Sequence, residues 1–257
     1  MSTATRGLWK ATFGQVCQTL KVLEDLGITP EDLKRLRSDQ PFAKRLVAFW
    51  KAGAVTGDPI PDSESQAKAR AIMGKNFLGL EEVRRGYGIA LPAPQLAEIP
   101  FSEETLQAYK DTHVLVAGGA LSVNEIREIV ESAFYDTDWY NCEPFANDKK
   151  VSVRWYLLRK EPVPESRCKT YDLQTALLKD EEVPFACEVI YMVILYWLMH
   201  RERLLPYVYV RCQDKGSDGD RVYVGNFDSD GFDVDDHWDD GCYGDLGLAS
   251  SVPPRKS

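Results

Sequence analysis

From Val189 to Met199 every residue is apolar or aromatic, within the longer stretch Pro184–Leu204 (PFACEVIYMVILYWLMHRERL). Burying each large side chain of such a run contributes roughly 1.5–3 kcal/mol before entropy is counted, so the fold must form around it. The β-branched residues Val189, Ile190, Val193 and Ile194 would suit a strand, but the run outlasts the usual strand of about 5–6 residues. The stretch 184–204 therefore predicts a central helix, apolar nearly all round and buried on several sides. Glu181 and Glu182 precede it and His200, Arg201 and Arg203 close it, the charge order that suits a helix dipole. Pro184 fits a first-turn position. The run is too short for a bilayer span of ~20 residues.

Helical spacing of Trp9, Phe13, Val16, Cys17, Leu20 and Leu23 predicts a first helix, ended by Gly27. Thr29-Pro30 opens a second with Leu33 and Leu36, and Phe42, Leu46, Val47, Phe49 and Trp50 mark a third. Residues 1–52 thus read as a small helical module. Residues 53–100 read as a linker with short helices near 64–74 and 80–85, because Gly53–Ser65 and Leu91–Pro100 are rich in glycine and proline.

Residues 101–250 read as an α+β domain. Ser102 caps a helix to about Lys110, His113–Ala117 is a strand, and Ser122-Val123-Asn124-Glu125 is a capping box for a helix reaching Phe134. Val151, Val153, Trp155 and Leu157 alternate with polar residues as a strand does. A short helix near 171–178, the central helix, strands at 207–212 and 221–227, and a further strand at 232–234 complete the order. The expected fold is α+β, a mixed or antiparallel sheet packed around helix 184–204, with residues 251–257 as a disordered tail.

The net charge of −9 is uneven: residues 1–90 carry +4 and the remainder −13. This disfavours nucleic-acid or membrane-surface binding by the second part. The front helices, with Lys34, Arg35, Arg37, Lys44, Arg45 and Lys51, leave nucleic-acid binding open for residues 8–52 only, as a helix-turn-helix or as an ordinary bundle with a solvated basic face. Six cysteines without a C-x-x-C pair, and no apolar leader, point to a reduced, soluble cytoplasmic protein.

Eight aspartates lie between Asp228 and Asp245 with no lysine or arginine among them. Asn226-Phe-Asp228-Ser-Asp230-Gly231 matches the front of a calcium loop, but His237 stands where a bidentate Glu belongs. Asp228, Asp230 and Asp235 are the candidate metal ligands, a divalent cation the one cofactor left open, and a turn with a solvated acidic loop the competing reading. Trp139, Tyr140 and Trp238 lie among acids in expected loops and are candidate partner anchors; loop aromatics also fold back over a core rim. Gly118-Gly119 between strand and helix lacks the G-x-G-x-x-G spacing of a nucleotide loop. No catalytic residue can be named.

The phrases Ile72–Phe77, Phe101–Val116, Asp138–Asn141, Trp238–Asp240 and Leu246–Ser250 together resemble a group of uncharacterised bacterial proteins of similar length. The resemblance implies a bacterial, intracellular origin and brings no catalytic residue with it. The leading expectation is a non-enzymatic binding or regulatory protein with a macromolecular partner. Two alternatives stand: a divalent-metal-dependent hydrolase or nuclease using the Asp-rich segment, and a DNA-binding protein using the front helices.

Overall fold

The computed structural model describes residues 59–254 and, ahead of them, only positions 21, 29, 30, 33, 34, 38 and 39. The chain divides into units Met1–Ala48 and Phe49–Ser257, and both sheets belong to the second. The expected helical module and its DNA-binding reading lie outside the described residues. The second unit is α+β: seven helices accompany two mixed four-stranded sheets among the described residues. No described helix is long and apolar enough to cross a membrane.

The stretch expected as a linker already belongs to the core. Helix α1 (Glu64–Met73) starts at Ser63, whose hydroxyl accepts from the Gln66 N–H while Gln66 reaches back. β1 (Phe77–Leu78) and α2 (Leu80–Tyr87) follow, and Phe77, Leu78, Leu80 and Val83 are buried. α3 (Glu103–Tyr109) is capped by Ser102, and β2 (His113–Ala117) is buried along its whole length. α4 (Val123–Ile129) opens on the expected capping box but ends early; a 3-10 turn over Glu131–Ala133 carries the chain to Phe134. After α5 (Pro144–Asn147) comes β3, which runs Trp155–Arg159. The alternation expected from Val151 is absent, because Trp155, Tyr156, Leu157 and Leu158 are all buried. β3 is an interior strand between β2 and β8 (Ser251–Val252), and since successive side chains point to opposite faces, burial of all four means that both faces are covered.

α6 (Tyr171–Thr175) precedes the central helix α7 (Ala186–His200), whose first eleven residues are buried. Pro184 lies before this helix, outside its first turn. Two carboxylates open the helix: Glu188 accepts from the Phe185 N–H at 3.0 Å and Asp214 from the Ala186 N–H at 2.6 Å. α7 packs against α2 and α4 and against two strands of the second sheet, β4 (Tyr209–Lys215) and β5 (Arg221–Gly225). β6 (Asp233–His237) and β7 (Leu246–Leu248) complete that sheet in the order β6-β5-β4-β7. The ordered chain passes residue 250: Ser251 exchanges two backbone hydrogen bonds with Glu182, so β8 belongs to the first sheet and is no disordered tail.

Candidate functional site

The second sheet has two unlike faces. Val210, Cys212, Val222, Val224 and Val234 point inward and are buried. Alternation sends Tyr209 and Arg211 of β4, Arg221 and Tyr223 of β5, and Asp233, Asp235 and His237 of β6 to the other face. The register sets Tyr223 opposite Asp235 and lines up Tyr209, Gly225 and Asp233 across three strands. Gly225 has no side chain, so Tyr209 reaches past it to Asp233, donating to Oδ2 at 2.9 Å. The Tyr223 hydroxyl donates to Asp235 Oδ2 at 3.0 Å. The two rings meet edge to face at 5.0 Å. Burial, then the neighbouring carboxylates, push both phenols well above their ordinary range, so they remain donors. Burial, with the charges of Asp235 and Asp228, likewise raises the Asp233 carboxyl against the opposing effect of the Tyr209 bond.

Beside this ladder the loop 238–245 is held from below. Arg211 is fully buried and meets neutral acceptors: Lys169 O and Gln174 Oε1 at 3.1 Å, Trp238 O at 3.2 Å and Gly241 O at 2.7 Å. Its Nε has no hydrogen-bond partner among the described residues. Burial lowers its pKa, with the charge of Asp239 acting the other way. Arg221 and Lys215 both pair with Asp239, and Arg221 lies over the Tyr171 ring. His237 Nδ1 accepts from the Trp238 N–H at 2.7 Å, so a neutral ring carries its proton on Nε2 and donates it to the Tyr243 hydroxyl at 2.6 Å. The result is a pinned loop whose Trp238 is 65% exposed and Tyr243 43%.

Trp139 and Tyr140 are both engaged within the protein. Tyr140 is 1% exposed, and Trp139 Nε1 donates to Val234 O at 2.8 Å. With Phe145 they form an aromatic cluster against the edge of β6. Of the three aromatic candidates Trp238 is the most exposed, Trp139 is partly buried and Tyr140 is buried.

Asp228, Asp230 and Asp235 do not gather. Asp228 accepts from the Asp230 N–H at 2.8 Å in the tight β5–β6 turn, while Asp235 is committed to Tyr223. Gly231 in that turn has φ 128° and abuts the Phe134 backbone, so the turn packs on protein and does not encircle an ion. The carboxylates that do meet are Asp218, Asp220 and Asp236, with oxygens within 4.8 Å of one another, at the β4–β5 hairpin tip beside β6. These oxygens are the ones that could hold a hard cation. Exposed acidic trios are common without one. Sequence reading missed the trio because strand pairing, not spacing, assembles it.

Burial, then the charges of Asp218, Asp235, Asp220 and Glu143, raise the Asp236 carboxyl to about 6. A raised acid binds its proton more readily folded than unfolded, so it lowers stability as pH climbs from about 4 to 6 and keeps that cost above. Asp236→Asn is expected to raise the melting midpoint at pH 7 and leave it unchanged at pH 4. Melts across that range check this, and a gain that is equal at both pH values would contradict it.

A second concavity, of about 630 Å³, is lined by Phe101, Tyr109, Lys179, Glu181 and Pro253 among others. Behind Glu181 lies the fully buried His113, with Nε2 3.7 Å from the carboxylate and Nδ1 2.8 Å from the Thr112 hydroxyl. Burial lowers the His113 pKa, which favours the neutral ring. Glu181 is lowered to about 2: burial opposes its ionisation, but the neighbouring His113, Arg159 and Ser250 outweigh burial. Arg159 grips it at 2.9 Å. The pair ties β2 and β3 to the segment before α7. Gly118 and Gly119 lie against Ser152, Ile89 and Tyr191, leaving no room for a phosphate. The five described cysteines are unpaired, and burial raises the thiols of Cys187 and Cys212.

No protein-family model matches this chain, and neither a curated protein nor a solved structure is significantly similar to it.

Proposed function

We propose that this protein is a non-enzymatic binding module, and that the outer face of β4–β6 with loop 238–245 is the surface its macromolecular partner meets. The observation that carries the reading is Trp238, 65% exposed on a loop whose carbonyls are held by the buried Arg211. Tryptophan and tyrosine dominate binding energy where they meet a partner. A loop already fixed in place loses little entropy on binding. The hydrolase alternative loses support, since its three named ligands lie apart and the nearby His237 is engaged by Trp238 and Tyr243.

The test places a photo-reactive phenylalanine at position 238 and, as control, at Lys68 of α1. The expected result in cells is a discrete cross-linked species from position 238 and none from position 68. Absence of an adduct at 238, or equal labelling at both positions, overturns the reading.

A further inference from the structure

We infer that the partner presents an extended basic segment, with lysine or arginine at alternate positions, to the ladder Tyr209–Asp233 and Tyr223–Asp235 and to Trp238. The inference rests on the proposed partner-binding role and names the partner's chemistry. Charge is the first argument. Between Asp214 and Asp245 the sequence has eleven aspartates and two cations, Lys215 and Arg221. Both cations are taken by Asp239. Arg211, on the same face, is fully buried beneath loop 238–245, and Asp228, Asp230, Asp233, Asp235 and Asp240 have no ion pair among the described residues, so the acids exposed on this face lack a paired counter-charge.

The aromatic rings give the second argument. Elsewhere in the unit a cation lies over Tyr140, Tyr156, Tyr171 and Trp197. None lies over Tyr209, Tyr223, Trp238 or Tyr243 among the described residues, although Asp233 and Asp235 stand beside the two ladder rings. A ring face next to a carboxylate attracts an ammonium or guanidinium through both groups. Polyanions, nucleic acid and acidic lipid surfaces among them, are repelled by the same charges.

Geometry sets the form of the segment. Asp233 and Asp235 are two residues apart on one strand, hence about 7 Å apart along the face. That is the repeat of alternate side chains in an extended peptide. The segment lies over the face and does not add to the sheet as a further strand. The free edge of β6 is blunted, because Trp139 occupies Val234 O and Phe232 pairs with the Ala133–Tyr135 backbone.

The experiment measures the anisotropy of a labelled lysine–serine octapeptide, alternating in sequence, titrated with the full chain in EDTA at low salt. The matching glutamate–serine peptide is the control. Expected are saturable binding of the lysine peptide alone, weakening with salt, and at least tenfold loss in Asp233→Asn/Asp235→Asn and in Trp238→Ala. Each variant should melt within about 2 °C of the parent, which separates lost contact from lost fold. No binding up to about 1 mM, or undiminished binding by the variants, overturns the inference. A dimer that Trp238→Ala dissolves would also overturn it, by assigning the face to a second copy. If the adduct at position 238 still forms when the lysine peptide does not bind, only the partner's chemistry is wrong; loss of both removes the surface itself.

Discussion

Arg211→Met is expected to destabilise the protein by about 3–5 kcal/mol. Methionine roughly fills the space but donates nothing. Four acceptors lose their donor together: Lys169 O, Gln174 Oε1, Trp238 O and Gly241 O. Hydrogen bonds from a charged donor contribute roughly 1.5–3 kcal/mol each, so the gross loss is about 6–12 kcal/mol. Relief offsets part of it. No carboxylate touches the guanidinium, and removing a buried charge returns several kcal/mol. The balance still favours arginine, because four acceptors in a largely enclosed site lose their donor at once. Guanidinium melts measure the loss. Arg211→Lys should recover little, since one ammonium cannot serve four acceptors on two separate loops. A loss below about 1 kcal/mol would mean that the clamp does not hold the 238–245 loop.

The clamp was within reach of the sequence. Arg211 interrupts Tyr207–Cys212 (YVYVRC), where an arginine among alternating valines either faces solvent or must be satisfied inside. The central helix was the most legible element, because its apolar residues leave no solvated face to choose. The caps at Ser102 and Ser122 were legible too, since capping is local, whereas the cap at Ser63 was passed over inside a stretch rich in glycine and proline. β3 was misread because alternation of Val151, Val153, Trp155 and Leu157 implies a half-exposed strand, while its true neighbours cover both faces. The acidic segment misled for a related reason. Read along the chain, Asp228, Asp230 and Asp235 form one cluster. Paired into a sheet, Asp228 and Asp230 go to a turn and Asp235 to the tyrosine ladder, while Asp236 joins Asp218 and Asp220 at the hairpin tip. Trp139 and Tyr140 differ from Trp238 only in whether a sheet edge lies beside them, which local sequence does not encode.

Gly225→Ala is expected to cost about 3 kcal/mol or more and to disarm the face at the same time. Gly225 has φ 151°, a region that L-residues rarely adopt, and a Cβ there would overlap the Val208 carbonyl oxygen and crowd Tyr209 Cα at 2.8 Å. Both obstacles are backbone, so no rotamer change relieves them; β4 and β5 would have to part. Parting the two strands would in turn disturb the register that lines up Tyr209 with Asp233. Gly219 supplies the internal control. It too has positive φ, 95°, but nothing lies within 4 Å of its would-be Cβ. Gly219→Ala therefore carries only the dihedral strain, about 1–3 kcal/mol, and leaves the ladder in place. Denaturant melts of the two variants give the steric cost as their difference, and the lysine-peptide titration shows whether the face survives. Equal destabilisation would mean that β4 and β5 can yield around Gly225. A larger loss for Gly225→Ala, with peptide binding lost under conditions where the variant is still folded, would show that the missing side chain lets Tyr209 cross β5 and fix Asp233 for a cation.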